Sequence, residues 1–249
     1  MSMRRLGRKL ALLVPAVQRA RERAINASSP HFVREYRALV RSLSEKHPID
    51  EAMALAVGGG DYDRVGIILT EIVKACGVKG DEHFVDLGCG SGRLAKHLGI
   101  AFPQIDYFGI DVVQELIDYA ATKTPPHFRF AVHHDASLPC PDNSVDMVAA
   151  FSVFTHLYHE ESFAYLKDIR RVLRPGGRVV FSILEFAHHW PLFEGLVSSL
   201  QTNRTRELTM FIERQQAAIW ADELGMETVG INPGPPTFQT VVVWRKPSV

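Results

Sequence analysis

Val85-Asp86-Leu87-Gly88-Cys89-Gly90-Ser91-Gly92-Arg93 is the stretch that decides the fold. An apolar run ends in an acid, glycines stand at every second position, and a helical pattern starts at once with Leu94, Ala95 and Leu98. That order predicts a strand, a tight turn and the start of a helix. Glycine lets such a turn take positive φ and brings bare backbone against a ligand that a side chain would push away. The spacing narrows the choice of ligand. A dinucleotide loop carries its third glycine at the sixth position, and counting from Gly88 that place is Arg93. A phosphate-cradling loop needs a Gly-Lys pair, and the chain has none. Roughly twenty residues on, Ile105-Asp106-Tyr107-Phe108-Gly109-Ile110-Asp111 reads as a second strand ending in a carboxylate, the place where an acid accepts hydrogen bonds from two ribose hydroxyls. The ligand implied is a nucleoside without a pyrophosphate.

Outward from these two strands the chain alternates. Strands are expected near 83–87, 105–111, 128–133, 145–151 and 177–184, with helices near 92–101, 113–123 and 160–173 between them. Such alternation implies a parallel sheet covered on both faces. Helices near 190–200 and 211–224 follow, then two strands, Met226 to Ile231 and Phe238 to Trp244, joined as a hairpin through Pro233-Gly234-Pro235-Pro236. Upstream, Ser29-Pro30 opens a helical pattern through Phe32, Tyr36, Leu39, Val40 and Leu43 that ends near His47-Pro48 and reads as a lid or cap. After Gly58-Gly59-Gly60, a further helix carries Val65, Ile68, Leu69, Ile72 and Val73 and closes at Gly77.

On these residues the chain resembles the class I S-adenosylmethionine-dependent methyltransferases. That family has an acidic-Leu-Gly-x-Gly-x-Gly loop after its first strand, an acid ending the second and an Asp-Ala pair or similar after the third; Asp86, Asp111 and Asp135-Ala136 fit. Leu138-Pro139-Cys140-Pro141-Asp142-Asn143-Ser144-Val145-Asp146 resembles the segment before the family's fourth strand, and Leu173 to Gly177 the Leu-Arg-Pro-Gly-Gly turn before the fifth. The resemblance covers roughly residues 60 to 246. It implies a doubly wound, Rossmann-like α/β fold whose seven-stranded sheet has the order 3-2-1-4-5-7-6, with the last strand pair antiparallel. Residues 1–60 are then an N-terminal helical extension or cap, and 61–249 the methyltransferase domain.

The resemblance also implies S-adenosylmethionine as cofactor, and in an open α/β sheet the ligand lies beyond the carboxyl ends of the strands. Gly88 and Gly90, with Cys89 and Gly92 in the same loop, line the methionine and ribose portions. Asp111 takes the ribose hydroxyls, and the alternative for it is a helix N-cap. Val112 packs on adenine, Asp135 beside Ala136 receives the adenine amino group, and Phe151 and Ser152 sit under the methionyl end. Asp86 either fixes the loop through backbone amides or approaches the cofactor's ammonium. Tyr62, in Gly60-Asp61-Tyr62-Asp63, stands near the methionyl group or simply packs at a helix start.

Methyl transfer is an in-line displacement in which holding the nucleophile about 3–3.5 Å from the methyl does much of the catalysis. A hydroxyl acceptor must also lose its proton, and histidine suits that near neutral pH. His156 follows the fourth strand, and His188 and His189 follow the fifth beside Trp190; these three are the candidate catalytic residues. Cys140 stands in a Pro-Cys pair like that of the cytosine-C5 methyltransferases, but it precedes the fourth strand rather than following it, so a buried packing role is expected. No Asn/Asp-Pro-Pro-aromatic motif is present, since Pro125-Pro126 leads into His127 and Pro235-Pro236 into Thr237. Base-flipping chemistry therefore has no support. The pairs His133-His134 and His188-His189 suggest no metal, because adjacent side chains in a strand point apart.

Composition sets the outer bounds. The chain has 249 residues, 46% of them apolar, with 28 basic residues balancing 28 acidic ones, so overall charge does not call for a nucleic-acid partner. The balance is uneven, because residues 1–24 hold Arg4, Arg5, Arg8, Lys9, Arg19, Arg21 and Arg23 against Glu22 alone. With Leu6, Leu10, Leu13, Val14 and Val17 at near-helical spacing, this is a basic amphipathic segment interrupted by Pro15. Weak contact with an anionic membrane surface is one use for it; packing on its own domain or on a second copy in a homodimer is the preferred one. Three cysteines without pair spacing, no small-x-small cleavage site after Val17 and no apolar run of spanning length point to the cytoplasm. The expected activity is methyl transfer to a small-molecule or glycan acceptor, most often at oxygen. The alternatives are a protein or lipid-linked acceptor recruited by the basic N-terminus, a cofactor-binding scaffold without chemistry, and a nicotinamide enzyme, which the residue at position 93 disfavours.

Overall fold

The computed structural model describes residues 29–200, 208–232 and 239–248. The basic segment at 4–24 and the Pro/Gly turn at 233–236 lie outside the described residues. Strands β1 (His83–Leu87), β2 (Asp106–Asp111), β3 (Arg129–Val132), β4 (Val145–Ala150), β5 (Leu173–Ile183), β6 (Glu227–Asn232) and β7 (Thr240–Arg245) form one sheet. Its order is β3-β2-β1-β4-β5-β7-β6. The first five strands pair in parallel, while β7 runs antiparallel to both β5 and β6. The fold and strand order expected from the resemblance are those observed.

Apolar residues on both faces of the central strands explain why the sheet is covered twice. In β4, Val148 and Ala150 join one core with Val85 and Leu87, and Met147 and Ala149 join the other with Phe84. Successive side chains point to opposite faces, so each run of consecutive apolar residues feeds both cores. On the first face lie α6 (His159–Val172) and α8 (Arg214–Glu223), which bury Leu166, Ile169, Ala217 and Ala221. On the second lie α3 (Tyr62–Ala75) and α4 (Arg93–Ala101), which bury Leu69, Val73, Leu94 and Leu98.

Residues 31–56 form a cap of two helices. Helix α1 (His31–Lys46) is the one expected, and α2 (Ile49–Ala56) is an addition. Val40, Ala52, Met53 and Ala56 of the cap pack against Val113 and Leu116 at the start of α5 (Gln114–Lys123), so the cap rests on the strand-to-helix turn after β2.

Three boundaries differ from expectation. β5 begins at Leu173, because the Leu-Arg-Pro-Gly-Gly segment is an irregular start of the strand whose register against β4 shifts between Val145 and Met147. Helix α7 (Phe186–Leu200) starts earlier than residue 190 and bends at His189, two residues before Pro191, whose ring and missing N–H break the ladder there. Residues 211–213 are not helical. They belong to an extended segment pinned by Met210 N–H donating to the Thr155 carbonyl (2.8 Å) and Ile212 N–H to that of Leu184 (2.9 Å).

Candidate active site

The sheet changes direction between β1 and β4, and the glycine loop leaves β1 at that switch point. Gly88, Gly90 and Gly92 all have positive φ (71°, 55° and 82°). A β carbon at Gly88 would stand 2.5 Å from Val153 Cγ2, and one at Gly90 2.5 Å from Val57 Cγ1. The chain's own Val153 and Val57 stand against the positions where β carbons of Gly88 and Gly90 would lie. The loop therefore fixes the cap as well as the cavity beneath it. Ser91 Oγ donates to the Met53 carbonyl of α2 (3.0 Å), which ties loop and cap together.

Beside the loop opens a cavity of about 450 Å³, within the range of small-molecule sites. Asp86, Gly88, Cys89, Gly90, Asp111, Val112, Phe151, Ser152 and His156 all line it, so nine of the residues singled out from sequence converge on one space. Its cap-side wall is Phe32, Tyr36, Leu39, Leu55 and Val57, and Arg93, His133, Leu157, Tyr165 and Gln239 complete the polar and apolar lining.

Asp111 is the most constrained group in the cavity. Its Oδ2 accepts from Gly90 N–H (2.9 Å), and its Oδ1 accepts from Val112 N–H (2.7 Å) and Val113 N–H (3.0 Å). Burial raises its pKa above the ordinary value, and the amides of Gly90, Val113 and Val112 oppose that rise. A carboxylate has about four lone-pair sites, so one on Oδ2 remains to accept from a ligand hydroxyl. The amides hold the group rigid before any ligand arrives.

Asp86 is buried in the same wall and accepts from the Tyr107 hydroxyl (2.7 Å). Burial pushes its pKa up to about 7; the Tyr107 hydrogen bond lowers it and the Asp111 charge adds to the rise. Cys89 is buried between these two acids, and burial, with their charges behind it, holds its thiol in the protonated form. Ser152 has a left-handed φ of 58°, held by Ser182 Oγ accepting from its N–H (2.7 Å). A left-handed non-glycine residue at the end of a switch-point strand is strain placed at the site.

His156 stands on a short 3-10 turn, Phe154–His156, just past β4. Its Nδ1 lies 2.9 Å from the Leu208 carbonyl, and its ring meets Tyr36 edge-on at 5.2 Å. A carbonyl accepts only, so Nδ1 carries hydrogen and the lone pair of the neutral ring is on Nε2.

The remaining candidates sit elsewhere. His188 and His189 do not line the cavity: His188 Nε2 faces Arg214 (3.0 Å), which also pairs with buried Glu185 (2.6 Å), and His189 turns back onto the Glu185 backbone. The turn of α7 toward Pro191 carries both rings to that ion pair. Asp135 and Ala136 are exposed and outside the lining, because the chain turns away from the sheet directly after β3. The residue facing the cavity at this end of the sheet is His133, immediately after β3 and two positions earlier. Gly92 caps α4 behind the lining. Tyr62 lies behind it too, its hydroxyl donating to the Ser91 carbonyl (2.8 Å), and burial pushes its phenol up to about 12. Cys140 is buried, as a packing role requires. Among the described residues no three His, Cys, Asp or Glu side chains are grouped to hold a metal. No helix among them is long and apolar enough to cross a membrane.

Comparison with known proteins relates the chain to methyltransferases. Residues 85–181 match the model of a methyltransferase domain. A malonyl-[acyl-carrier protein] O-methyltransferase from Methylococcus capsulatus is 28% identical over 171 residues, covering 62% of this chain and 60% of that one. The O-methyltransferase cnsE from Penicillium expansum is 34% identical over 118 residues, covering 44% and 41%. The chain thus spans less than two thirds of the length of these curated relatives. Among solved structures, magnesium protoporphyrin IX methyltransferase from Synechocystis PCC 6803, with bound S-adenosylhomocysteine, superposes with a TM-score of 0.59 at 15% identity over 83% of this chain and 92% of that one. The apo form of the S-adenosylmethionine-dependent methyltransferase SibL gives 0.62 at 18% identity, covering 84% and 62%. Residues 85–181 thus match a methyltransferase domain by sequence, and the sheet has the fold of S-adenosylmethionine-dependent methyltransferases of known structure.

Proposed function

We propose that the protein transfers the methyl group of S-adenosylmethionine to an oxygen of a small-molecule or glycan acceptor. The observation that carries the cofactor half is Asp111, a rigid carboxylate at the end of β2 with acceptor capacity left over and directed into a cavity that the glycine loop also lines. Ribose hydroxyls are the donors that such a group suits. Val112, Ile110 and Leu116 supply apolar lining beside it for a flat base. When bound, the cofactor supplies a methyl group on a positively charged sulfur. Asp86, largely ionised once a positive charge stands near it, stabilises the cationic end electrostatically.

For the acceptor half, His156 is the lining residue suited to take a hydroxyl proton, because the Leu208 carbonyl fixes the tautomer that presents Nε2 as the base. Phe32, Tyr36, Leu39, Val153 and Leu157 give the same cavity an apolar wall that excludes water from the reacting groups. Relatives named as O-methyltransferases support oxygen as the acceptor atom. Calorimetry tests the cofactor reading: S-adenosylmethionine and S-adenosylhomocysteine bind and NAD does not. Saturable binding of NAD with no heat from either sulfur nucleoside overturns it. Incubation with methyl-labelled cofactor and a panel of hydroxylated small molecules and oligosaccharides then reads the acceptor class by mass.

A further inference from the structure

The hydrogen bond that sets the tautomer of His156 ends on a residue that the cap also holds. Leu208 offers its carbonyl to His156 Nδ1 (2.9 Å) and donates its own N–H to Glu35 Oε2 of α1 (3.0 Å). These two groups belong to successive peptide units, so together they fix the backbone of Leu208 on both sides. Two residues on, Met210 N–H is tied to the carbonyl of Thr155, the neighbour of His156 (2.8 Å). Glu35 is in turn placed by its own surroundings. Its Oε1 lies 3.3 Å from His31 Nδ1, and His31 Nε2 lies 2.9 Å from Glu161 Oε2, which also accepts from Tyr158 N–H (2.8 Å) at the start of α6. Tyr36, the next residue of α1, meets the His156 ring edge-on at 5.2 Å. The cap thus reaches the histidine twice, once by ring contact and once through Leu208. Glu35 itself does not line the cavity. A carboxylate accepting from a backbone N–H makes a charge-assisted bond, roughly twice as strong as a neutral one, so it anchors Leu208 firmly.

We infer that Glu35 is a positioning residue for His156: by anchoring the Leu208 N–H it keeps the Leu208 carbonyl on Nδ1 and the ring's lone pair on Nε2. The inference rests on the reading of His156 as the base and adds a residue that acts through it. Which ring nitrogen carries hydrogen is set by the bond the other makes, so the tautomer reports the anchor directly. It is read by nitrogen-15 NMR of the full chain labelled at histidine, at about pH 8.5, roughly two units above the ordinary histidine value, with His156→Gln identifying the His156 signals. The unaltered protein carries the hydrogen on Nδ1. Glu35→Ala shifts the ratio toward the Nε2–H form about three- to tenfold, the worth of the one neutral hydrogen bond to the Leu208 carbonyl. Glu35→Gln, whose side-chain carbonyl still accepts from Leu208 N–H, keeps the parent ratio. Affinity for S-adenosylhomocysteine stays within about twofold in both variants, whereas a collapsed cap would uncover Gly90 and lower it. Glu35→Asp, whose carboxylate stops one methylene short, carries the test should Glu35→Ala not fold. An Nε2–H ring in the unaltered protein, or an unshifted ratio in the shortened variant, overturns the assignment. The base reading fails separately: undiminished methyl transfer by His156→Gln overturns it and leaves the hold of Glu35 on the ring in place.

Discussion

Two buried acids in one cavity wall, Asp86 and Asp111, meet different partners. Burial raises both, against three amides at Asp111 and one phenol at Asp86, and it lifts Asp86 from its ordinary 3.8 to about 7. The folded protein then keeps a proton that the unfolded chain has already released. Stability from this group is complete at acid pH, declines as pH rises from about 4 to about 7 with a slope of at most about 1.4 kcal/mol per unit, and is level above that. Asp86→Asn removes the decline, so the difference in urea midpoint between variant and parent grows in favour of the variant from pH 5 to pH 8; an unchanged difference contradicts the shift. A cationic ligand pulls the other way: affinity for S-adenosylmethionine rises from pH 6 to pH 8, and calorimetry on Asp86→Asn shows that rise flattened. The acids and glycines of this site were legible in the sequence because they stand near or just past strand ends at chain positions fixed by the alternating pattern. Arg93 was also in plain view as the residue that breaks a dinucleotide loop, but its exposure to the cavity depends on the turn at Gly58 to Gly60 lying over it. The displacement of His188 and His189 to the Glu185–Arg214 pair depends on a bend, which pairwise spacing does not encode.

The cap shows how an element escapes notice. Ile49–Ala56 has good helix formers between Pro48 and Gly58, but eight residues give barely two turns, too few for an apolar period to stand out. Tertiary packing makes the helix: Met53 is fully buried among Val40, Ala56, Val113 and Leu116. Met53→Ala is expected to cost about 2–5 kcal/mol, read as a lower urea midpoint. A loss below about 0.5 kcal/mol, the scale of a surface substitution, would show that the cap does not pack as described. The cap also reaches the site, since Val57 covers Gly90 and Ser91 bonds to Met53. Gly90→Ala combines positive φ with a clash against a stiff valine, so it weakens nucleoside binding and cap packing together. Protease sensitivity of α1 and α2 alongside calorimetry measures both.

At the scale of the molecule, strand order was legible because five parallel strands joined by crossovers can wind in few ways and the acid-ended strand β2 helps locate the switch point. The extended segment at 208–213 was not. Its residues look helical in isolation, and only the carbonyls of Thr155 and Leu184 draw it straight. That segment completes the site by offering the Leu208 carbonyl to His156, so whole-chain packing sets the chemistry of a single ring. Separate roles for the domain and the basic leader predict that removing residues 1–28 leaves cofactor affinity within about twofold, as for changes at independent sites. A larger loss by calorimetry would place the leader within the cofactor site. The claim on which everything turns is that Asp111 grips the ribose of an adenosyl sulfur cofactor. Titration of S-adenosylhomocysteine into Asp111→Asn, which keeps an oxygen for the Val112 and Val113 amides but turns an NH2 toward Gly90 N–H, tests it most directly. An affinity at least about tenfold below that of the parent, in a variant whose circular dichroism shows the fold kept, is predicted. Equal affinity in the two proteins would contradict it.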